Sequence, residues 1–471
     1  MPIIGTREVE VGLGIEATPG TAVASTITLK WLAGLIQSVS QKIPYGAVRG
    51  VRNDVSGSII GRKFSKGNVK VVADVEVAPY LFGLALGAVT TALAETALET
   101  GTATGTSKAT GTCTTNTANK VIDSAADFVT AAIAADDWIH NTIDDTWSQV
   151  ATVDDLHTIT ADTDICPDGN ETYEIIRQTA NKLIDTSANF TTAAVATGDF
   201  VHDITTDTWC KVVTKDSATQ LTLDEDLFAL SGGHTYEVGT PVCKHTITTQ
   251  NSNASMKTAT INVKEGSIDI EKYANVVVDS LTLSASNGYA ELDVELVGKF
   301  GVAGALSASY TEETKMAYSD MTVKFGTTIT NAIAASATAV KSLTIKDANN
   351  VLTDEAFLSG SNEPASGGFV AGPQSVTGSY TLHFKDATEL DKYKADTKNA
   401  MVVDLTGAAI GDAEHERIRV RLASLQLIKE PREYEVDGVV VLTQDFIGEY
   451  SATETKSIDV EITNENNGEL Y

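Results

Sequence analysis

The sequence predicts a mainly β protein: two domains in which strands, a helix and paired strands follow in the same order, plus two small tandem β-barrel or sandwich repeats inserted into the first. Three observations carry this. Threonine supplies 62 of the 471 residues while aromatics make up only 6 %, a composition that suits pleated, half-buried strands better than helical bundles. Apolar and polar residues alternate at a period near two in many short runs. A unit of roughly 60 residues occurs twice in tandem, the mark of a duplication. At 42 % hydrophobic residues the chain can bury substantial cores, and its length allows roughly two to four domains.

Residues 1–24 are expected to form an N-terminal arm. Within it Arg7-Glu8-Val9-Glu10-Val11 reads as a strand, and Gly12-Leu13-Gly14-Ile15-Glu16-Ala17 has the spacing of a dinucleotide-binding turn. That site requires a helix to open at the turn. Thr18-Pro19-Gly20-Thr21 breaks any such helix, so the nucleotide reading is set aside.

The first domain is assigned to 25–97 plus 241–310. It is expected to contain strands at 57–61 and 69–73 around a turn at Ser65-Lys66-Gly67-Asn68. A short helix follows over 78–87, with Pro79 tolerated in its first turn and Gly87 suited to its end. Beyond the insert, 258–263, 276–285 and 290–296 alternate as strands, with Ser286-Asn287-Gly288 as a hairpin signal. The second domain, 311–471, reruns this order: a strand at 375–384, a polar helix at 387–398, then strands at 417–427 and 438–446 joined near 433–437.

Between the two parts of the first domain, 98–117 is almost all Gly, Thr, Ala and Ser and reads as a flexible linker. The repeats follow at 118–178 and 179–240. Ala118-Asn119-Lys120-Val121-Ile122-Asp123 returns as Ala180-Asn181-Lys182-Leu183-Ile184-Asp185. In the same register His140 matches His202, Asp145-Thr146-Trp147 matches Asp207-Thr208-Trp209, Asp154 matches Asp216 and Thr160 matches Thr222. The paired His and Asp positions invite a metal or sugar site, but no short spacing supplies three or four convergent donors. Cys113, Cys166, Cys210 and Cys243 form no CxxC pair, and four cysteines in so long a chain read as free thiols.

The 63 acidic and 34 basic residues leave a net charge of −29. That disfavours a general nucleic-acid binder or a protein docked on anionic lipid. No secretory signal and no membrane anchor are expected: the longest apolar stretch, 77–89, contains Pro79 and is too short to span a bilayer. There is no GxSxG, HExxH or GxxxxGK[ST] motif. No catalytic, cofactor-binding or metal-ligating residue is assigned, no cofactor is expected, and the chain is read as a non-enzyme.

Gly12-Leu13-Gly14-Ile15-Glu16-Ala17-Thr18-Pro19-Gly20-Thr21-Ala22-Val23-Ala24 resembles the opening of major tail tube proteins of long-tailed, siphovirus-like bacteriophages. The likeness continues in Lys66-Gly67, in the helix ending Leu84-Ala85-Leu86-Gly87, and in His245-Thr246-Ile247-Thr248. It returns in Val376-Thr377-Gly378-Ser379 and Ile458-Asp459-Val460-Glu461-Ile462-Thr463-Asn464. It covers the host segments and not the repeats. The resemblance implies two tail-tube-type β-sandwich domains, each with a flanking helix, whose inner strands join across subunits, and a structural virion protein of the tail, made in the host cytoplasm. It implies self-assembly into stacked rings, either trimeric and pseudo-hexameric or hexameric, around an acidic lumen that conducts genome DNA as a non-binding cargo during ejection. Tape measure, tail terminator and tail tip proteins would be further partners, and the repeats would decorate the outside.

The 40–53 stretch carries Lys42, Tyr45, Arg49 and Arg52 in a chain with only nine arginines. As a loop between strands it is the candidate for contact with acidic surface on the next ring. Two rival readings stand beside this one: a surface adhesin or S-layer-like β protein, and a carbohydrate-binding protein using Trp147 and Trp209 as sugar platforms.

Overall fold

The computed structural model describes residues 8–45, 57–177, 179–228, 233–250, 256–286, 288–307, 309–310, 315–353, 369–384, 388–429, 432–433 and 440–467. The host begins with β1 (Val9–Glu16), β2 (Ile27–Leu29), β3 (Trp31–Ala33), β4 (Ile36–Tyr45), β5 (Gly57–Val72), α1 (Ala78–Leu86) and β6 (Gly87–Leu93). The insert supplies β7 (Glu99–Thr102), β8 (Thr106–Thr112), β9 (Lys120–Ile122), β10 (Trp138–Asn141), β11 (Thr146–Val153), β12 (Thr158–Ala161) and β13 (Thr172–Arg177). It continues with β14 (Lys182–Ile184), β15 (Phe200–Asp203), β16 (Thr208–Lys215), β17 (Gln220–Leu223) and β18 (Thr235–Gly239). The host resumes with β19 (Cys243–Thr249), β20 (Thr258–Glu265), β21 (Asp269–Ala285), β22 (Glu291–Gly298), β23 (Val302–Ala303), β24 (Met321–Gly326), α2 (Ile329–Ala334) and β25 (Val340–Ala348). It closes with β26 (Ser375–His383), α3 (Thr388–Lys394), β27 (Asn399–Ile410), β28 (Glu414–Leu427), β29 (Arg432–Glu433), β30 (Val441–Gly448) and β31 (Ile458–Asn464).

All described ladders are antiparallel and fall into three sheets, one of 19 strands and two of six. In the large sheet one row runs β4-β5-β22-β21-β25-β26-β30. A second runs β6-β19-β31-β28-β27-β24. β28 joins them, pairing with β31 over 417–422 and with β30 over 425–427. The rows enclose one continuous core that takes Val69, Val71, Leu283 and Val294 from the first half and Ile345, Tyr380, Val420 and Ile462 from the second. Alternation explains it: along β28 Ile418, Val420 and Leu422 face the core while Arg417, Arg419 and Arg421 face out.

Three expectations change. The turn predicted at 65–68 is absent, and β5 runs through it for 16 residues. Gly67 is there for close approach, because a Cβ would strike the Leu35 carbonyl and Ile36 Cα of the neighbouring strand. The helix predicted at 78–87 forms, but it is not flanking: all nine residues of α1 are buried, and it packs on β19, β21, β6 and β31. A helix apolar on every side belongs inside. The polar helix is shorter than predicted, Thr388–Lys394, with Leu390 buried. Residue 287 of the hairpin signal, residue 387 and 434–439 lie outside the described residues.

The predicted linker at 98–117 contains two strands. β8 pairs with β13 and completes the sheet β8-β13-β10-β11-β12-β9; β7 pairs with β18 and completes β7-β18-β15-β16-β17-β14. Repeat 1, β8 to β13, is therefore nested inside repeat 2, whose first strand β7 precedes it in the chain. The small residues that look like a linker are required by packing. Gly101 and Gly111 occupy matching positions, and a Cβ at either would collide with a buried Tyr–Asp pair, Tyr236–Asp185 or Tyr173–Asp123. Nor are all four thiols free: Cys113 and Cys166 are bonded, while Cys210 and Cys243 are free and buried.

Candidate assembly surfaces

Each strand of the first row turns one face to the core and the other outward. Two rungs cross six strands on the outward face. One is Val72, Glu291, Ser284, Thr344, Ser379 and Asp445; the next is Lys70, Asp293, Thr282, Lys346, Thr377 and Ile447. Five of the twelve positions carry hydroxyls, five are charged and two are apolar, and both lysines of the rungs lie beside carboxylates. Lys70 pairs with Glu291 at 2.6 Å, Lys346 lies 3.7 Å from Glu295, and Asn68 donates to Asp293 at 2.9 Å. The face carries Glu291, Asp293, Glu295 and Asp445 against Lys66, Lys70 and Lys346, a small acidic excess. Sequence reasoning did not find this face, because it exists only through the distant β21–β25 ladder that joins the two halves.

The outer part of the β4–β5 pair forms an exposed hairpin. Lys42 stands opposite Ile60 and Ile43 opposite Ile59. Ile43, Ile59 and Ile60 are 43 %, 64 % and 50 % exposed; Ile43 and Ile59 form an apolar pair on one face of the hairpin, and Ile60 lies on the other face beside Lys42. Of the residues singled out from the sequence, Lys42 is exposed on this hairpin and Tyr45 ends β4. Arg49 and Arg52 lie outside the described residues. Sequence reasoning missed these exposed isoleucines, for which the doublet Ile59-Ile60 was the available signal.

A family model described as phage tail tube protein matches residues 6–448. The chain belongs to that family. No curated protein matches it. The tail tube protein is a structural, non-enzymatic component of the virion tail that self-assembles into a tube.

The opening phrase of the tail tube protein has a physical basis. Glu16 is buried, and its carboxylate accepts hydrogen bonds from Gly20 N (2.7 Å), Thr258 Oγ1 (2.8 Å), Thr260 Oγ1 (2.8 Å) and Asn275 N (2.9 Å). Gly20 sits at φ +80°, so the chain can fold back toward that carboxylate. One side chain thus ties the N-terminal turn to β20 and β21.

The insert leaves the host between β6 and β19, whose last pair is Leu93 with Cys243. Trp209 and Phe200 of repeat 2 cluster with Cys243 and Leu93. Glu95 accepts from Thr240 Oγ1 and from the backbone N–H groups of Ala413 and Asp412. These bonds hold its carboxyl below the usual range, the Thr240 hydroxyl first among them. Repeat 1 docks in turn on repeat 2, with Trp147 against Gly233. Matching tryptophans therefore make successive joints, Trp147 to repeat 2 and Trp209 to the host.

That arrangement removes Trp209 from the sugar-platform reading. Trp209 is 1 % exposed, and each indole is stacked on its matched histidine, His140 at 4.1 Å and His202 at 4.0 Å between ring centroids. The matched histidines each contact the matched aspartate at 2.9 Å, His140 with Asp145 and His202 with Asp207. Among the described residues no group of three His, Cys, Asp or Glu could hold a metal ion. The matched Lys, Asp and Thr positions are a structural triad in both copies: Lys120–Asp154 (2.5 Å) with Thr160, and Lys182–Asp216 (2.6 Å) with Thr222. Most of the acidity also belongs here. Residues 98–240 hold 23 carboxylates and 6 basic side chains, hence −17 of the −29.

Proposed function

We propose that three chains close into each ring, every chain supplying two tube-type sandwich units, and that stacked rings conduct the phage genome during ejection. The observation that carries this is the β21–β25 ladder. It joins strands from the two halves edge to edge, as strands of neighbouring subunits would be joined around a ring. β4, paired only with β5 among the described residues, is the edge left for the next chain, and closure removes it from solution.

In this reading the rung face lines the lumen. Its small acidic excess repels phosphate, and its lysines, each beside a carboxylate, offer DNA little cationic surface to hold. DNA is then a cargo that does not bind. The two repeats stand outside the tube, since roughly 140 extra residues per chain have no room in a lumen. The exposed hairpin, with Lys42 and the neighbouring Tyr45, Arg49 and Arg52, contacts the adjacent ring. Tape measure, terminator and tip proteins are the partners at the tube's ends.

Negative-stain microscopy and native mass measurement of the purified protein test this. The expected result is rings or tubes with a central hole and three chains per ring. Six chains per ring would overturn the two-unit reading, and globular monomers at high concentration would overturn the ring itself.

A further inference from the structure

Among the buried positions at which repeat 1 and repeat 2 differ, one pair is covalently bonded in repeat 1 alone. Cys113 and Cys166 are bonded in repeat 1; the matching positions of repeat 2 are Ala103 and Phe228. All four residues are fully buried in their respective cores. Phe228 precedes β18 and packs edge-on against Tyr236 with ring centroids 6.2 Å apart, while Phe190 lies on that same tyrosine. In repeat 1 Tyr173 retains the equivalent Phe128, but the second ring is replaced by sulfur. The 162–171 segment before β13 is tied by Asn141 Nδ2 to the Ile165 carbonyl and by Thr163 N to Ser148 Oγ, and in repeat 1 it gains a further bond that exists only after oxidation. At the position matching Cys166, repeat 2 has an aromatic side chain, Phe228, that is present whatever the redox state.

We propose that Cys113–Cys166 is a redox-conditional staple on repeat 1. The closing segment is loose in the reduced chain and locked once the protein meets an oxidising medium. The functional side of this, a lock that sets when the tail leaves the reducing cell, rests on the reading above that the repeats stand outside the tube. The chemistry balances. Two thiols each lose a hydrogen from Sγ and one S–S bond forms. The two electrons and two protons pass to dioxygen, giving hydrogen peroxide, or to a low-molecular-weight disulfide, giving two thiols. Both cysteines are inaccessible in the bonded form, so the oxidant enters while the segment is open. Once closed, the bond is shielded from reductant by the same packing, which makes the lock one-way on the time scale of segment opening.

The test uses the full-length, unassembled chain. After air or oxidised-glutathione treatment, the denatured protein should titrate two thiols, Cys210 and Cys243, against four before it, and weigh about 2 Da less. A protease should cut within 162–171 at least about tenfold faster in the reduced chain than in the oxidised one. Cys113→Ser/Cys166→Ser should be cut fast in both states. Cys113→Ala/Cys166→Phe, which copies repeat 2, should be cut slowly in both. Equal cleavage of oxidised and reduced wild-type protein, or four titratable thiols after oxidation, would overturn the staple. Because these readouts need no ring, their failure is separate from that of the tube geometry, which microscopy reads.

Discussion

Glu16 Oε1 accepts a 2.9 Å hydrogen bond from the backbone N–H of Asn275, a residue 259 positions away that is itself fully buried and held at φ +53°. With the bonds from Gly20, Thr258 and Thr260, it makes the first strand a fixed part of the sheet rather than a loose arm. Removing the acceptor leaves buried donors unmet, at about 1–3 kcal/mol each where no water reaches them. Glu16→Ala is expected to lower unfolding stability by about 3 kcal/mol or more. Glu16→Gln keeps one acceptor oxygen and should lose about half as much. Denaturant melts of the unassembled chain check both.

The nested insert makes a different prediction. Arg177 and Thr106 are paired across the β8–β13 ladder, so the two ends of repeat 1 are adjacent. Deleting 106–177 joins β7 to the rest of repeat 2 and leaves that sheet complete. The deletion chain should still form tubes, with its remaining unfolding transition within about 3 °C of wild type. Deleting 179–239 instead strands β7 without β18 and takes away Trp209 from the joint with Cys243 and Leu93. That chain should aggregate or be cut at the neck. Tube yield and melting of the two deletions decide between nested and simple tandem insertion.

These outcomes mark what is readable in the sequence. Period-two alternation locates eight host strands, β1, β5, β20, β21, β22, β26, β28 and β30, and misses others such as β4, which lies partly in the stretch read as a loop; the constant offset between matched residues locates the repeats. The strands β7 and β8 are not readable as such, because their Thr-Gly-Thr runs have the composition of a linker. The doubled phrase Thr-Gly-Thr-Ala-Thr at 100–104 and Thr-Gly-Thr-Cys-Thr at 110–114 is the available signal. The burial of α1 is readable from Tyr80, Leu81, Phe82, Leu84 and Leu86 covering all sides of the helix. The rung face is not, since it depends on pairing between strands far apart in the chain. The assembly residues remain the least legible: charge points at Lys42, and it is the isoleucines beside it that lie bare.

Two buried groups oppose each other in acid. Burial raises Asp347 to about 7, with Gln374 donating to Oδ1 at 2.8 Å. Burial lowers His245 to about 4, between Thr91 Oγ1 and Asn464 Oδ1. Between about pH 4 and 6.5 the folded chain holds a proton on Asp347 that the unfolded chain has lost, so this group makes stability fall as pH rises. Over the same window the unfolded chain holds a proton on the histidine that the folded chain excludes, so His245 makes stability rise with pH. Each slope is about 1.4 kcal/mol per pH unit, and they cancel in the wild type. Asp347→Asn should expose a stability that falls on acidification below about 6.5. His245→Gln should expose the reverse. Denaturant midpoints from about pH 4.5 to 7.5 check the pair, and parallel profiles in the two variants would contradict the assignment.

The hairpin of β4 and β5 separates folding from assembly. Ile59 is 64 % exposed and stands opposite Ile43 on the outer part of the pair, so the isolated chain gains little from it. Ile59→Asp should change monomer stability by no more than about 0.5 kcal/mol. In the tube the same position is expected to be covered by the adjacent ring, where a buried isoleucine contributes about 1.5–3 kcal/mol and a buried unpaired carboxylate costs more. The loss recurs at every subunit contact along the tube. The concentration needed for assembly should therefore rise at least about tenfold, while Lys42→Glu should weaken assembly mainly at low ionic strength, as a screened charge does. Light scattering against protein concentration at two salt levels reads both effects. An Ile59→Asp chain that assembles at the wild-type concentration removes the hairpin from the ring contact and leaves the open edge of β4 as the surface to test.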